Sequence, residues 1–539
     1  MSTARNQTVM KTLTCVLLVG AFAPALRAQQ PGELSYHDES IMPEGIVGER
    51  IKSMIETFNS GDPERVQQFL QDEATSAFRS FAPMEEHQQV FASVYRQWGP
   101  VSFHSIRTYN PPRPDEVIVI LRDSNFGSWR AFSFEFDENA DHRVSSFAFN
   151  SARTPSNVDE PPLSQAEAIE EVATVLNRIC DRDLFSGTVL IARDDDVLLT
   201  HACGEASKRF HVPNRLDTKF NLGSMNKMFT SVAIMQLVER GVLSLDDPIS
   251  EYVDESWLPR TTTERITVHH LLTHTSGLGS YFNDTYWQSS RENFRELDDY
   301  QPLVKTETLA FEPGAEFRYS NTGMFLLGVV IESATGENYF DYIREHIYAP
   351  AGMIGSDSYD MDMPVENLAI GYDPSPGSEY GYENNLYKHV IRGGPAGGGF
   401  STVEDLYRFA RALTSEKLLS KASLERMWED HAGADYGYGF SVADGALGRM
   451  VGHGGGFPGL NSNLDIMLDR GYVVAVMSNY GSAATPVATR INGLLARVPA
   501  TSQSCLSVRV PGAGAFPRAL TSLPAGRAGA PMRPRSSTT

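Results

Sequence analysis

The chain has 539 residues and only four cysteines, too few for a disulfide scaffold. It lacks a cationic excess. Asp and Glu number 67 against 46 Lys and Arg, so there is no basic face to neutralise phosphates, and nucleic acid is excluded as a partner. Past the N-terminus no apolar run reaches the ~18 residues that would cross a bilayer, so no stable membrane anchor is expected. No Gly-x-Ser-x-Gly elbow occurs, which excludes an α/β-hydrolase. No His-Glu-x-x-His occurs, which disfavours a zincin. The glycine run Gly397-Gly398-Gly399 is not followed by Gly-Lys-Ser/Thr, so it is a close-packed turn before a helix over 402–413 and not a phosphate loop. What is present is 41% hydrophobic residues, enough for a large packed core. At ~150 residues per domain the length implies three or four units.

The two ends stand apart. Arg5 and Lys11 precede an uncharged apolar stretch over residues 12–26, followed by small residues. This is the pattern of a signal peptide over residues 1–28, cut after Ala28 or Ala25, and it predicts a secreted or periplasmic protein. Cys15 lies in the middle of that stretch, which disfavours a lipoprotein anchor. Residues 499–539 are rich in Pro, Ala, Gly, Ser and Thr, with five arginines and no acid, and read as a disordered tail. All the cations of both ends are unopposed by acids, so the body between them is more acidic than the whole-chain charge of −21. After export, Cys180, Cys203 and Cys505 remain. Cys180 falls in a helical pattern and Cys203 at a strand end, and both are expected to be buried small hydrophobes, not a bridge.

Residues 40–150 carry helical spacing first (Val47, Ile51, Met54, Ile55, Phe58) and period-two alternation later (Phe132, Phe134, Phe136; Phe147, Phe149). Helices followed by an antiparallel meander imply a curved α+β sheet with one buried and one wetter face. By element order this segment resembles the NTF2-like (cystatin-like) cone, here an accessory domain. Residues 151–163 have a linker composition.

From 164 to 498 the chemistry-bearing motifs appear. Ser164-x-x-Glu167 is a capping box opening an amphipathic helix to about Asp181. Ser224 and Lys227 stand at i and i+3 at the start of a helix whose stripe is Met228, Val232, Met235 and Val238. A serine hydroxyl needs a neighbouring base, and a desolvated lysine can serve as one. Tyr319-Ser320-Asn321 lies in a loop opening into another apolar helix; a phenol can share a lysine's proton and an amide can anchor both lysine and substrate. His453-Gly454-Gly455-Gly456 leads a strand hairpin turning at Asp469-Arg470-Gly471, and its glycines let a substrate backbone approach.

These three motifs in this order, together with FSGTVLIARDDDVLL, ITVHHLLTHTSGL and GGPAGGGFSTVEDLYRFARAL, resemble the serine β-lactamase and penicillin-binding-protein superfamily, near its class C, DD-peptidase, D-aminopeptidase and esterase branch. The resemblance implies a β-lactamase/transpeptidase-like α/β (α+β) fold, an antiparallel sheet flanked by terminal helices with an all-helical subdomain. It implies Ser224 as the acylated nucleophile, Lys227 as its base, Tyr319 as proton shuttle and Asn321 as anchor. The oxyanion hole would be the N–H groups of Ser224 and Gly456, with Gly454 and Gly455 lining the substrate. His453 stands where β-lactamases usually carry a lysine; a histidine, only partly charged near pH 7, weakens the case for an efficient β-lactamase. The implied substrates are small-molecule or peptide acyl compounds, peptidoglycan-derived material among them: small esters, amides or D-amino-acid peptides. The alternatives are a class C-like β-lactamase, a DD-carboxypeptidase, or a penicillin-binding sensor that deacylates slowly. No metal and no organic cofactor is expected, since lysine and tyrosine supply the acid–base chemistry. His269, His270 and His274 are expected to pack a helix end beneath the site and not to hold a metal. Tyr281, Phe282, Tyr286 and Trp287 either floor a pocket or cover the core.

Overall fold

In the computed structural model, residues 35–500 are described, apart from 114, 376 and 377. The expected signal peptide and all but the first two residues of the expected tail, with Cys505, lie outside the described residues.

The first layer is a five-stranded antiparallel sheet in sequence order: β1 (Ser35–Glu39), β2 (Val101–Asn110), β3 (Val117–Asp123), β4 (Trp129–Asp137) and β5 (Arg143–Ser151). Four helices precede its meander: α1 (Gly45–Ser60), α2 (Pro63–Glu73), α3 (Ser76–Ser80) and α4 (Met84–Trp98). Asp62 caps α2, its side chain accepting from Glu64 N at 2.9 Å, with Pro63 at the first helical position. Phe58, Phe91, Trp98, Phe132 and Phe134 pack between helices and sheet, with Phe147 and Phe149 edge-on to one another. These rings fill the space between the helices and the sheet. The opposite face is drier than its alternation implies. Ile118, Ile120 and Ala131 are buried there, because the segment after β5 folds back over them and places Ala152 against them. That return is pinned by a buried bidentate pair, Arg107 to Asp38 (both N···O 3.1 Å), whose carboxylate also accepts from Ser156 N at 2.8 Å. Strand β1 extends the sheet to a segment that the sequence reading left outside it, at residues 35–39.

The second layer is built on a six-stranded antiparallel sheet. Two strands come early, β6 (Gly187–Arg193) and β7 (Asp196–Cys203). Four come late, β8 (Ser441–Gly445), β9 (Gly448–Phe457), β10 (Leu460–Met467) and β11 (Tyr472–Ser478). Their order is β8-β9-β10-β11-β6-β7. Alternation decides what each face meets. Val189, Ile191, Val474 and Val476 face α5 (Gln165–Asp181) and a C-terminal helix, Ala484–Leu495. Leu190, Ala192, Val473, Ala475 and Met477 face the larger core shared with the intervening helical region. The capping box at Ser164 and Glu167 is formed.

Two expectations fail here. Cys180 and Cys203 form a disulfide. The amphipathic α5 lies across β6 and β7, so its last turn ends over the end of β7. The two Cα atoms come to 6.1 Å, within bridging range, which a reading of each cysteine in its own element does not reveal. Helix α6 (Asn226–Glu239) has no single buried stripe either: nearly every residue from Asn226 to Leu237 is buried. It runs through the middle of the larger core, where both sides of a helix meet apolar neighbours.

Candidate active site

The Ser224-x-x-Lys227 motif sits on a turn forced by close packing. Residues Gly223–Met225 form one 3-10 turn leading into α6. Gly223 has φ +51°, and a Cβ on it would lie 2.9 Å from the Gly456 nitrogen. A Cβ on Gly455 would strike the Leu222 carbonyl oxygen at 1.9 Å, so only glycine lets the strand pass this close. Ser462 in β10 fixes the approach by donating to Leu222 O at 2.7 Å. The pairing of β8 with β9 stops at Gly452, leaving residues 453–457 paired on the β10 side alone. The stretch His453-Gly454-Gly455-Gly456 thus has one edge without a strand partner, and Ser224 stands beside it.

The lysine is wholly buried. Lys227 Nζ donates to Asn321 Oδ1 at 3.0 Å and to the Ala396 carbonyl at 2.5 Å, and lies 4.9 Å from the Tyr319 ring centre. Burial drives its pKa well below that of a free lysine. Burial raises the pKa of the Tyr319 phenol, and the neighbouring Ser224 hydroxyl opposes the rise. Ser320 caps the helix α7 (Asn321–Thr335) by accepting from Gly323 N, and donates to Gly279 O at 2.8 Å. The Asn321 amide in turn donates to Ser280 Oγ at 3.3 Å. Ser224, Lys227, Tyr319, Asn321, His453 and the glycines 454–456 thus converge on one place.

His453 differs from its sequence expectation. Burial, then the charge of Lys227, push its pKa down to about 3, so it is neutral near pH 7 rather than partly charged. Its Nδ1 lies 2.5 Å from the Gly454 carbonyl, which requires a proton on that nitrogen. Its Nε2 then accepts from the Tyr436 hydroxyl at 3.0 Å.

A family model described as Beta-lactamase matches residues 167–496. The chain belongs to the beta-lactamase family. A penicillin-binding protein of Bacillus subtilis (strain 168) is 32% identical over 327 residues, 58% of this chain and 71% of that one. A D-aminopeptidase of Brucella anthropi is 26% identical over 325 residues, 59% of this chain and 60% of that one. Among solved structures, a penicillin-binding protein from Bacillus halodurans is 32% identical with a TM-score of 0.55, covering 59% of this chain and 98% of that one. The fold is the β-lactamase/transpeptidase-like one, and by its family the chain is a serine hydrolase. Among the described residues no helix is long and apolar enough to cross a membrane.

Two groups at this site escaped the sequence reading. The Ala396 carbonyl is one; it belongs to the glycine run, which packs against the nucleophile turn, Gly398 N donating to Gly223 O at 3.1 Å. Tyr436 is another, in a loop with no motif. His274, which the sequence reading places beneath the site, lies against it. It is fully buried, with φ +58°, its ring centre 4.3 Å from that of Tyr319 and 4.8 Å from that of Tyr436. Its Nδ1 accepts from Ser320 N at 3.1 Å, and burial holds it neutral. The other two histidines point elsewhere: His269 Nδ1 meets Tyr438 OH at 2.8 Å and His270 Nδ1 accepts from Thr267 N at 3.2 Å.

Proposed function

We propose that the chain is an exported acyl hydrolase acting through a Ser224 acyl-enzyme on small esters, amides or D-amino-acid peptides. The observation that carries this reading is a wholly buried Lys227, one turn after Ser224, bonded to Asn321 Oδ1 at 3.0 Å and 4.9 Å from the Tyr319 ring centre, where burial disfavours its charge. A neutral Lys227 accepts the serine proton while Oγ bonds to the substrate carbonyl carbon. The oxyanion is met by the N–H groups of Ser224 and Gly456, each such donor contributing ~3 kcal/mol in comparable sites. Tyr319 passes the proton to the leaving alcohol or amine as its bond to the carbonyl breaks. Water, deprotonated by the same pair, then cleaves the acyl-serine, releasing the acid and restoring the hydroxyl. Asn321 holds Lys227 in place.

A neutral His453 supports substrates without a carboxylate at that end, such as small esters and amides, over β-lactams and peptides ending in a free carboxylate, because it offers a substrate carboxylate no fixed charge. Nitrocefin, a p-nitrophenyl ester and a D-Ala-D-Ala peptide assayed side by side test the reading. Turnover of the ester well above that of nitrocefin is expected. Nitrocefin as the best substrate points to a β-lactamase, and a lasting adduct on Ser224 without turnover points to a sensor.

A further inference from the structure

The aromatic residues 281–287 divide into two groups. Tyr281 and Tyr286 are buried in the core with Tyr300 and Phe325. Phe282 is half-buried and Trp287 is 47% exposed, and both turn to Phe457. The Phe282 and Phe457 ring centres are 5.4 Å apart. Those of Trp287 and Phe457 are 6.2 Å apart, with planes within 6° of parallel. A core-covering role explains the first pair and leaves the second unexplained.

Position gives the second group a use. From His453 to Phe457 strand β9 spans about 13 Å at the usual rise per residue. At its His453 end stand Tyr436 and Tyr319, the proton carrier. At its far end Phe457 follows Gly456 directly and meets Phe282 and Trp287. Phe282 also lies two residues beyond Ser280, which receives the Asn321 amide. The three rings thus join the Asn321 side of the cleft to the glycine side, at the end opposite Tyr319. Gly456 is exposed, and a Cβ there would meet only Asn461 Nδ2, at 4.0 Å, so the surface beside the rings is open. The Trp287 ring is held firmly: Tyr286 lies edge-on at 5.0 Å, and the Arg291 guanidinium, donating to the carbonyls of Tyr286 and Ser289, sits 5.4 Å from its centre.

Resting on the acyl-hydrolase reading above, we propose that Phe282, Trp287 and Phe457 form the acyl-side wall of the cleft and select substrates whose acyl part is aromatic or bulky and apolar. The leaving group departs toward Tyr319, so the group retained on Ser224 lies toward Phe457, where ring stacking and desolvation favour an apolar surface.

The test compares p-nitrophenyl phenylacetate with p-nitrophenyl acetate, which share a leaving group, each rate divided by that of its hydroxide-catalysed hydrolysis. The expected ratio of kcat/KM is about ten or more in favour of phenylacetate, falling by about tenfold in Trp287→Ala and largely kept in Trp287→Phe. A ratio near one in the unaltered protein, or a ratio unchanged in Trp287→Ala, overturns the proposal. The first arm needs no variant, so it stands even if Trp287→Ala does not fold. Turnover of both esters without acyl preference sinks this inference alone; turnover of neither sinks the acyl-hydrolase reading beneath it.

Discussion

In the proposed mechanism the chemistry turns on Lys227, and its environment sets what its removal does. It has two oxygen partners and no solvent contact. Lys227→Ala is expected to lower kcat/KM for a p-nitrophenyl ester by about a hundred- to ten-thousand-fold, the usual span for a general base, with the melting temperature recorded to confirm folding. His453 bears on stability. It titrates near 6.5 in a free chain but near 3 when folded, so between those values the unfolded chain holds the extra proton. Stability therefore rises with pH through this window and is lost as pH falls from 6.5 toward 3, by up to about 1.4 kcal/mol per pH unit for each such histidine. Buried His274 acts in the same direction. Urea unfolding followed from pH 7 to pH 4 should show this loss, with a shallower slope in His453→Gln. Parallel slopes would contradict the assignment.

At the scale of elements, short motifs were legible and the contacts between distant segments were not. Ser224-x-x-Lys227, Tyr319-x-Asn321 and the 453–456 run each carry their chemistry within a few residues, so the sequence alone singles them out. The Ala396 carbonyl, Tyr436 and the Cys180–Cys203 bridge depend on which elements the fold brings together, and no local period encodes that. Helix α6 shows the same limit: an i, i+4 stripe assumes one wet face, and this helix has almost none. The bridge closes a loop of sequence separation 23 between α5 and β7. Removing it in Cys203→Ser is expected to cost about 3 kcal/mol by restoring entropy to the unfolded chain. Chemical unfolding of the oxidised protein and the variant checks this; equal stabilities would show that the bridge adds nothing.

Across the whole molecule the N-terminal sheet and the hydrolase layer are packed together. Phe126, from the turn between β3 and β4, is buried in the core beneath α5, among Val172, Leu176 and Ile491. Arg178 donates to the Asn125 carbonyl at 3.2 Å, and Arg96 of α4 donates to the Tyr382 hydroxyl at 2.8 Å. A linker composition at 151–163 predicts none of this, because composition reports local flexibility and not what the segment's neighbours bury. Phe126→Ala is expected to cost about 3–5 kcal/mol and to separate one cooperative melting transition into two by calorimetry; a single transition at the original temperature would show that the ring does not join the layers. All of these contacts support one cleft, whose centre is Ser224. The direct measurement is hydrolysis of a p-nitrophenyl ester by the unaltered protein and by Ser224→Ala, both confirmed folded. The account predicts turnover in the first and none above background in the second; undiminished turnover without the Ser224 hydroxyl would contradict it.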